Sequence, residues 1–207
     1  MGASILPTTI YKNKIYFLFG KEREIDENPG WSDFGGGTDN NETYIQTAVR
    51  ESCEELTGFL GDAGQVKSIL SKYGTYNIDF NSPGHNTYRV HIFPMEYDEL
   101  LPYYYNNNQR FLQKKLSPKI IKDSKIFEKT EIRWFSMNEL PKMRSKFRNF
   151  YQKIVDMILE RNTPIQHFIT SSLKKSTKKL ASSTKIKKMK LVKKNKTRKN
   201  IKMHKII

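Results

Sequence analysis

Between Gly35 and Gly58 the chain places five acids and one arginine behind three consecutive glycines. Gly35, Gly36 and Gly37 make the turn. Asp39 and Glu42 follow it, then Arg50-Glu51, then Glu54-Glu55. Asp39, Asn40 or Asn41 is expected to cap a helix that begins near Glu42 and runs to about Leu56. On such a helix Glu51, Glu54 and Glu55 stand at i, i+3 and i+4 and share one face. Three carboxylates side by side repel one another unless a cation lies among them. Hard divalent ions such as Mg²⁺ take oxygen ligands, using one or two carboxylates together with substrate phosphate. This spacing therefore suits a divalent cation held together with a substrate phosphate.

The run resembles the Nudix box, Gly-x5-Glu-x7-Arg-Glu-hydrophobic-x-Glu-Glu-x-Gly-hydrophobic. Gly36, Glu42, Arg50, Glu51, Glu54 and Glu55 fall on it in register. Two positions depart. Ser52 replaces a hydrophobic residue, and Gly58-Phe59 arrives one residue late because Leu56-Thr57 fills a single slot. The insertion follows the last carboxylate, so it is expected to lengthen the exit turn and spare the metal face. The resemblance implies hydrolysis of a nucleoside diphosphate linked to another moiety, with Mg²⁺ or Mn²⁺ as cofactor. It implies Glu51, Glu54, Glu55 and the Gly35 carbonyl as metal ligands, Glu51 alternatively as the base that orients water. Arg50 would hold the carboxylates in place, and Glu42, Gly36 and Gly37 would form the loop. A further ligand from outside the box is expected at Glu131, with Glu128 and Glu96 as lesser candidates. Trp31, Phe34 and Arg89 are the candidate substrate contacts, the rings for stacking and the guanidinium for phosphate. Tyr88 and Tyr103-Tyr104-Tyr105 are further stacking candidates. The alternatives are an mRNA-decapping enzyme acting on capped RNA and a Nudix-fold binding protein without catalysis.

The elements that would position these residues follow from hydrophobic period and turn signals. Ala3–Ile10 and Ile15–Phe19 read as strands around the turn Tyr11-Lys12-Asn13-Lys14. Gly20–Gly30 reads as a charged loop, and Trp31–Phe34 as a short strand leading into the glycines. Asp62–Lys72 reads as a helix capped by Asp62. Tyr73–Phe80 and Thr87–Met95 read as a hairpin joined through Asn81-Ser82-Pro83-Gly84. Tyr97–Leu116 looks like an insertion, partly helical at best. Glu131–Phe135 reads as a strand, Ser136 to Glu139 as a capping box and Ser145–Arg161 as an amphipathic helix. The class is α/β, a mixed sheet with helices on both sides. The resemblance implies the same α/β/α sandwich, over residues 1–162.

The net charge of +16 over 207 residues is confined to one end. Sixteen Lys and Arg and no acid lie between Arg161 and Ile207, leaving twenty-one of each sign before them. Residues 163–207 are expected to be a disordered, lysine-rich tail. Its residues 174–205 suit a polyanion such as nucleic acid, or a nuclear-import signal. The single cysteine, Cys53, excludes an internal disulfide and a zinc cluster, and core packing is its expected role. No apolar run is long enough to cross a membrane, and no signal peptide is visible, so an intracellular site, cytoplasmic or nuclear, is expected. The richness in Asn, Lys and Ile fits an AT-rich genome, as in large DNA viruses and some protists. The sequence leaves the oligomeric state and the leaving group open.

Overall fold

The computed structural model describes residues 1–23, 28–81, 87–124 and 127–175. A mixed sheet is built around β1 (Gly2–Tyr11). β2 (Lys14–Glu22) returns antiparallel through a two-residue turn, with Lys12 and Asn13 both at positive φ (47° and 61°), as tight hairpins require. β3 (Trp31–Ser32) and β7 (Lys129–Ser136) pair with β2. β4 (Phe34–Gly37) pairs with the first half of β1, so the glycine turn is itself a strand. β6 (Tyr88–Pro94) runs parallel to β1 and carries β5 (Tyr76–Phe80) at the edge. The sheet is seven-stranded among the described residues.

Alternation along the strands sorts side chains into two cores. On one face, Ala3, Ile5, Leu18, Ile132 and Trp134 pack with α1 (Tyr44–Glu55), α2 (Ala63–Tyr73) and α3 (Leu100–Lys115). On the other, Phe17, Phe19, Phe135 and Val90 meet α6 (Tyr151–Glu160) and a last helix, α7 (residues 162–175). The short α4 (Pro118–Asp123) and α5 (Leu140–Met143) are connectors. This is the expected α/β/α sandwich. No helix of the described residues is long and apolar enough to cross a membrane.

Several expected boundaries move, each for a local reason. β2 continues to Glu22, three residues into the expected charged loop. Thr43, not Asp39, Asn40 or Asn41, caps α1, its N–H bonded to Gln46 Oε1 at 2.9 Å. Asp62 does cap α2, accepting from the Gln65 N–H at 2.9 Å. The Tyr97–Leu116 segment holds a full helix. Asp98 Oδ1 accepts the N–H groups of Leu100 and Leu101 (2.8 and 3.2 Å), and Leu101, Tyr105 and Gln109 form a buried i, i+4, i+8 stripe. The helix expected over Ser145–Arg161 begins only at Tyr151, because Phe147 bridges to Trp31 as extended backbone and the Arg148 N–H donates to the Trp31 carbonyl. The Ser136–Glu139 box forms, with Glu139 Oε2 accepting from the Ser136 N–H at 2.8 Å. The turn at Ser82-Pro83-Gly84 and residues 176–207 of the tail lie outside the described residues.

The boundary expected after residue 162 falls at the start of a packed helix. Ile165 and Ile169, four apart on α7, are wholly buried in the core with Ile154 and Ile158. Ile169→Ala should therefore lower the unfolding free energy by about 2–4 kcal/mol in chemical denaturation, whereas exposed Lys175→Ala should change it by less than about 0.5 kcal/mol. Equal, small effects would mean that α7 is an appendage.

Below the sheet on the α6 side, Asp33 is buried and accepts hydrogen bonds from the Ser4 hydroxyl and, at 2.8 Å, from the Tyr88 hydroxyl. Burial raises its carboxyl to about 6, and the two hydroxyl bonds only partly oppose that shift. The folded form thus keeps a proton that the unfolded chain releases near pH 4. That contribution to stability is fully present below pH 4 and is lost as pH rises through 6. Asp33→Asn cannot ionise. Its stability relative to the parent should rise by up to about 3 kcal/mol between pH 4 and 7 in paired urea titrations. A difference that stays flat with pH would show that Asp33 titrates normally.

Candidate active site

The glycine strand lies against both β1 and α1. A Cβ on Gly35 would sit 2.3 Å from the Ser4 Cβ and 2.4 Å from the Ala3 carbonyl oxygen. One on Gly36 would sit 2.6 Å from Glu51 Oε1. Only glycine lets the backbone pass between a strand and a carboxylate helix at this range.

Arg50 organises the outer part of the site. Its Nε donates to Glu42 Oε1 at 2.9 Å, its Nη1 to Glu51 Oε1 at 2.7 Å and its Nη2 to the Gly37 carbonyl at 3.0 Å. Glu54 Oε1 lies 3.8 Å from Nη1, and Asp39 Oδ2 lies 3.5 Å from Nε. Glu42 also accepts from the Thr47 hydroxyl and the Asp39 N–H, which ties the loop to α1. The Arg50 hydrogen bond, above all, pulls the Glu42 carboxyl down to about 2. Four acids thus surround one guanidinium on a rim where Glu54 keeps 27% of its side chain exposed. Arg50, the expected clamp, thus bridges the loop and α1, and Glu42 lies between Asp39 and Thr47 at their junction.

Glu55 departs from expectation. Its side chain turns inward, where Oε2 accepts the Gly35 N–H at 2.8 Å and Oε1 lies 3.2 Å from Lys129 Nζ. Lys129 has no exposed surface. It also contacts Glu22 and donates to the Ser32 hydroxyl at 2.8 Å, while Arg148 Nη1 reaches the same Glu22 oxygen at 3.0 Å. Burial works against the Lys129 ammonium, but Glu55 and Glu22 outweigh it and hold the pKa above the ordinary lysine value. Gly20 makes room for the stem, since a Cβ there would sit 2.8 Å from Lys129 Cδ. Nothing in the box motif flags Glu22, Ser32 or Lys129. A lysine opening a strand otherwise buried on this face was the one signal available.

The segment expected to bring an outside acid to the box brings this lysine instead. Glu131 pairs with Lys21, on the sheet face opposite Ile132 and Trp134, and so points away from α1. The substrate contacts expected at Trp31 and Phe34 are core residues. Trp31 packs edge-on to Phe135, and Phe34 is wholly buried beside Ala48 and Leu18. Arg89 is held in a fork by Asp79 (2.6 and 2.7 Å) and lies over the Tyr44 ring. Tyr105 is buried too, its hydroxyl donating to the Glu55 carbonyl at 2.7 Å. The inserted residue is absorbed after the last carboxylate, where Thr57 and Gly58 both take positive φ (49° and 79°).

Among the described residues no three His, Cys, Asp or Glu side chains converge into a ready metal cage. The rim nonetheless fits a hard cation. It gathers four carboxylates around one guanidinium, and Mg²⁺ needs one or two of them when phosphate supplies the rest. An open cavity of about 760 Å³ adjoins the rim and shares Arg50 and Glu54 with it, its other walls including Ile45, Val49, Cys53 and Ala63.

Solved structures with a similar fold include a Nudix hydrolase from M. smegmatis, RenU, 14% identical, covering 79% of this chain and 86% of that one with a TM-score of 0.45. The MutT protein from Methanosarcina mazei Go1 is 14% identical, with 78% and 94% covered and a TM-score of 0.43. An Ap4A hydrolase from C. elegans is 15% identical, with 83% and 96% covered and a TM-score of 0.39. Comparison with curated proteins returns no match. The sequence profile of the NUDIX domain matches residues 9–157, from the β1 hairpin into α6 and across every residue of the acidic rim. The chain belongs to the NUDIX domain family.

Proposed function

We propose that the protein hydrolyses a phosphoanhydride bond in a nucleoside diphosphate linked to another moiety, using Mg²⁺ or Mn²⁺. The observation that carries this reading is the gathering of four carboxylates, Asp39, Glu42, Glu51 and Glu54, around the Arg50 guanidinium at the rim. A divalent ion bound there would neutralise phosphate charge and make water a better nucleophile. Glu51 and Glu54 are the carboxylates to hold it, with the Gly35 carbonyl as a backbone ligand. Arg50 keeps Glu51 extended against Gly36, so the oxygen is fixed before substrate arrives. The adjoining cavity gives the diphosphate's attached group a place beside Glu54.

Capped RNA is the second reading. It is favoured by the lysine-rich tail, residues 174–205, which would bind a polyanion by counterion release.

A screen of sugar nucleotides, dinucleoside polyphosphates, nucleoside triphosphates and capped RNA tests both. Glu54→Gln should lower kcat/KM by roughly 100-fold or more on the preferred substrate with the thermal midpoint unchanged. Ending the chain at Lys175 should leave small nucleotides unaffected, and should slow capped RNA selectively if RNA is the substrate. Undiminished hydrolysis by Glu54→Gln would overturn the assignment. No turnover of any of these substrates would leave a NUDIX-fold binding protein.

A further inference from the structure

The inner stripe of α3, Leu101, Tyr105 and Gln109, is buried. Hydrogen bonds fix the helix firmly. The Tyr105 hydroxyl donates to the Glu55 and Lys129 carbonyls (2.7 and 3.1 Å), and Asn106 exchanges two bonds with the Ile132 backbone (2.8 and 3.1 Å). The opposite face is not the polar surface that a packed helix usually turns to water. Tyr103, Tyr104 and Phe111 stand there with 60%, 56% and 59% of their surface exposed. Two rows run along it, Tyr103, Arg110, Lys114 and Tyr104, Phe111, Lys115, each at i, i+7 and i+11. The two tyrosines meet edge-on, their centroids 5.4 Å apart. Arg110 Nη2 donates to Asn107 Oδ1 at 2.8 Å, which lays the guanidinium along the face. From Leu100 to Lys122, across α3 and α4, the chain has five Lys and Arg and no acid.

Rings interleaved with cations suit single-stranded nucleic acid, which offers base faces for stacking and phosphates for the charges. A second copy of the chain would set these cations against themselves, since a twofold contact presents the same patch twice. A lipid surface takes up a broad apolar face, and that of α3 already lies in the core. Asn107 and Asn108 add carboxamides, donor and acceptor together, which suit the 2′-hydroxyl of RNA. We propose that the outer face of α3 is a docking surface for single-stranded RNA, with bases on Tyr103, Tyr104 and Phe111 and phosphates on Arg110, Lys114 and Lys115. The Tyr105–Glu55 bond sets this surface beside the end of α1. Binding there needs neither metal nor hydrolysis.

Anisotropy of a fluorescein-labelled RNA of about 20 nucleotides, titrated with the full chain in EDTA at several salt concentrations, tests this. The lysine-rich tail acts in parent and variants alike, so it cancels from the comparison. Tyr104→Ala combined with Phe111→Ala should weaken binding at least about tenfold and leave the slope of log Kd against log salt unchanged. Changing Arg110, Lys114 and Lys115 together to Gln should weaken binding and flatten that slope by about two. All five side chains are exposed, so both variants should melt with the parent. Single-stranded DNA of the same sequence, and the RNA as a duplex, should bind the parent more weakly. Binding within about twofold of the parent in either variant would overturn the proposal and leave RNA contact to the tail. Equal affinity for single-stranded DNA or for the duplex would overturn it too. A dimer, or capture by phosphatidylserine vesicles, that the ring variant abolishes while RNA affinity holds would assign the face to that partner instead.

Discussion

The Lys129 ammonium stands where β2, β3, β7 and α1 come together. Glu22 reaches it from the end of β2, Ser32 from β3 and Glu55 from the last turn of α1. Arg148 adds the segment before α6 by bonding the same Glu22. Taking such charges out of water is costly, and the cost is met only if each finds a partner. Removing one member of a buried pair typically costs about 3–5 kcal/mol, because the other is left uncompensated. Here Glu22 meets both cations, and burial raises the Glu55 carboxyl well above its ordinary value against the pull of Lys129. These contacts fix the end of α1 relative to the sheet, and hence the line along which Glu51 and Glu54 project.

The same line depends on a steric constraint one layer out. β4 must pair with β1 and still admit Glu51 from above, and the Gly35–Gly36 backbone leaves no space for a side chain in either direction. Arg50 then acts as a spacer between loop and helix, with its fork on Glu42 and its far nitrogen on the Gly37 carbonyl. Glu42 stays ionised at any physiological pH with its carboxyl held near 2. Its negative charge at the loop–helix junction therefore does not depend on a proton equilibrium.

Much of the sheet and of α1 was legible because period and punctuation agree there. The β1–β2 hairpin has its two-residue turn, and the glycines lie in β4 directly ahead of the helix that carries Arg50 and the glutamates. What failed was what depends on contacts distant in sequence. The α3 stripe of Leu101, Tyr105 and Gln109 hides in a tyrosine- and asparagine-rich composition whose exposed face drew the eye. Phe147 and Arg148 fit a helical pattern but are held extended by Trp31. Ile165 and Ile169 lie where lysines dominate the composition, yet two apolar residues four apart suffice to dock a helix on Ile154 and Ile158. The candidate substrate aromatics failed for the opposite reason. Trp31 and Phe34 both precede the glycines in sequence, but strand alternation drives their rings into the two cores on opposite faces of the sheet.

The motif also could not reveal that its three glutamates do unlike work. Spacing alone puts Glu51, Glu54 and Glu55 on one helical face, and by that measure they are equivalent. Depth separates them. Glu54 reaches the rim, Glu51 lies between the guanidinium and the glycine backbone, and Glu55 lies under the strand with the lysine that opens β7. Glu55 has Lys129 and the Gly35 N–H as partners, whereas Glu51 and Glu54 lie beside the Arg50 guanidinium. Contacts from outside the motif, more than helical spacing, therefore set the depth of each glutamate, and the lysine beside Glu55 enters the chain seventy-odd residues after the motif ends.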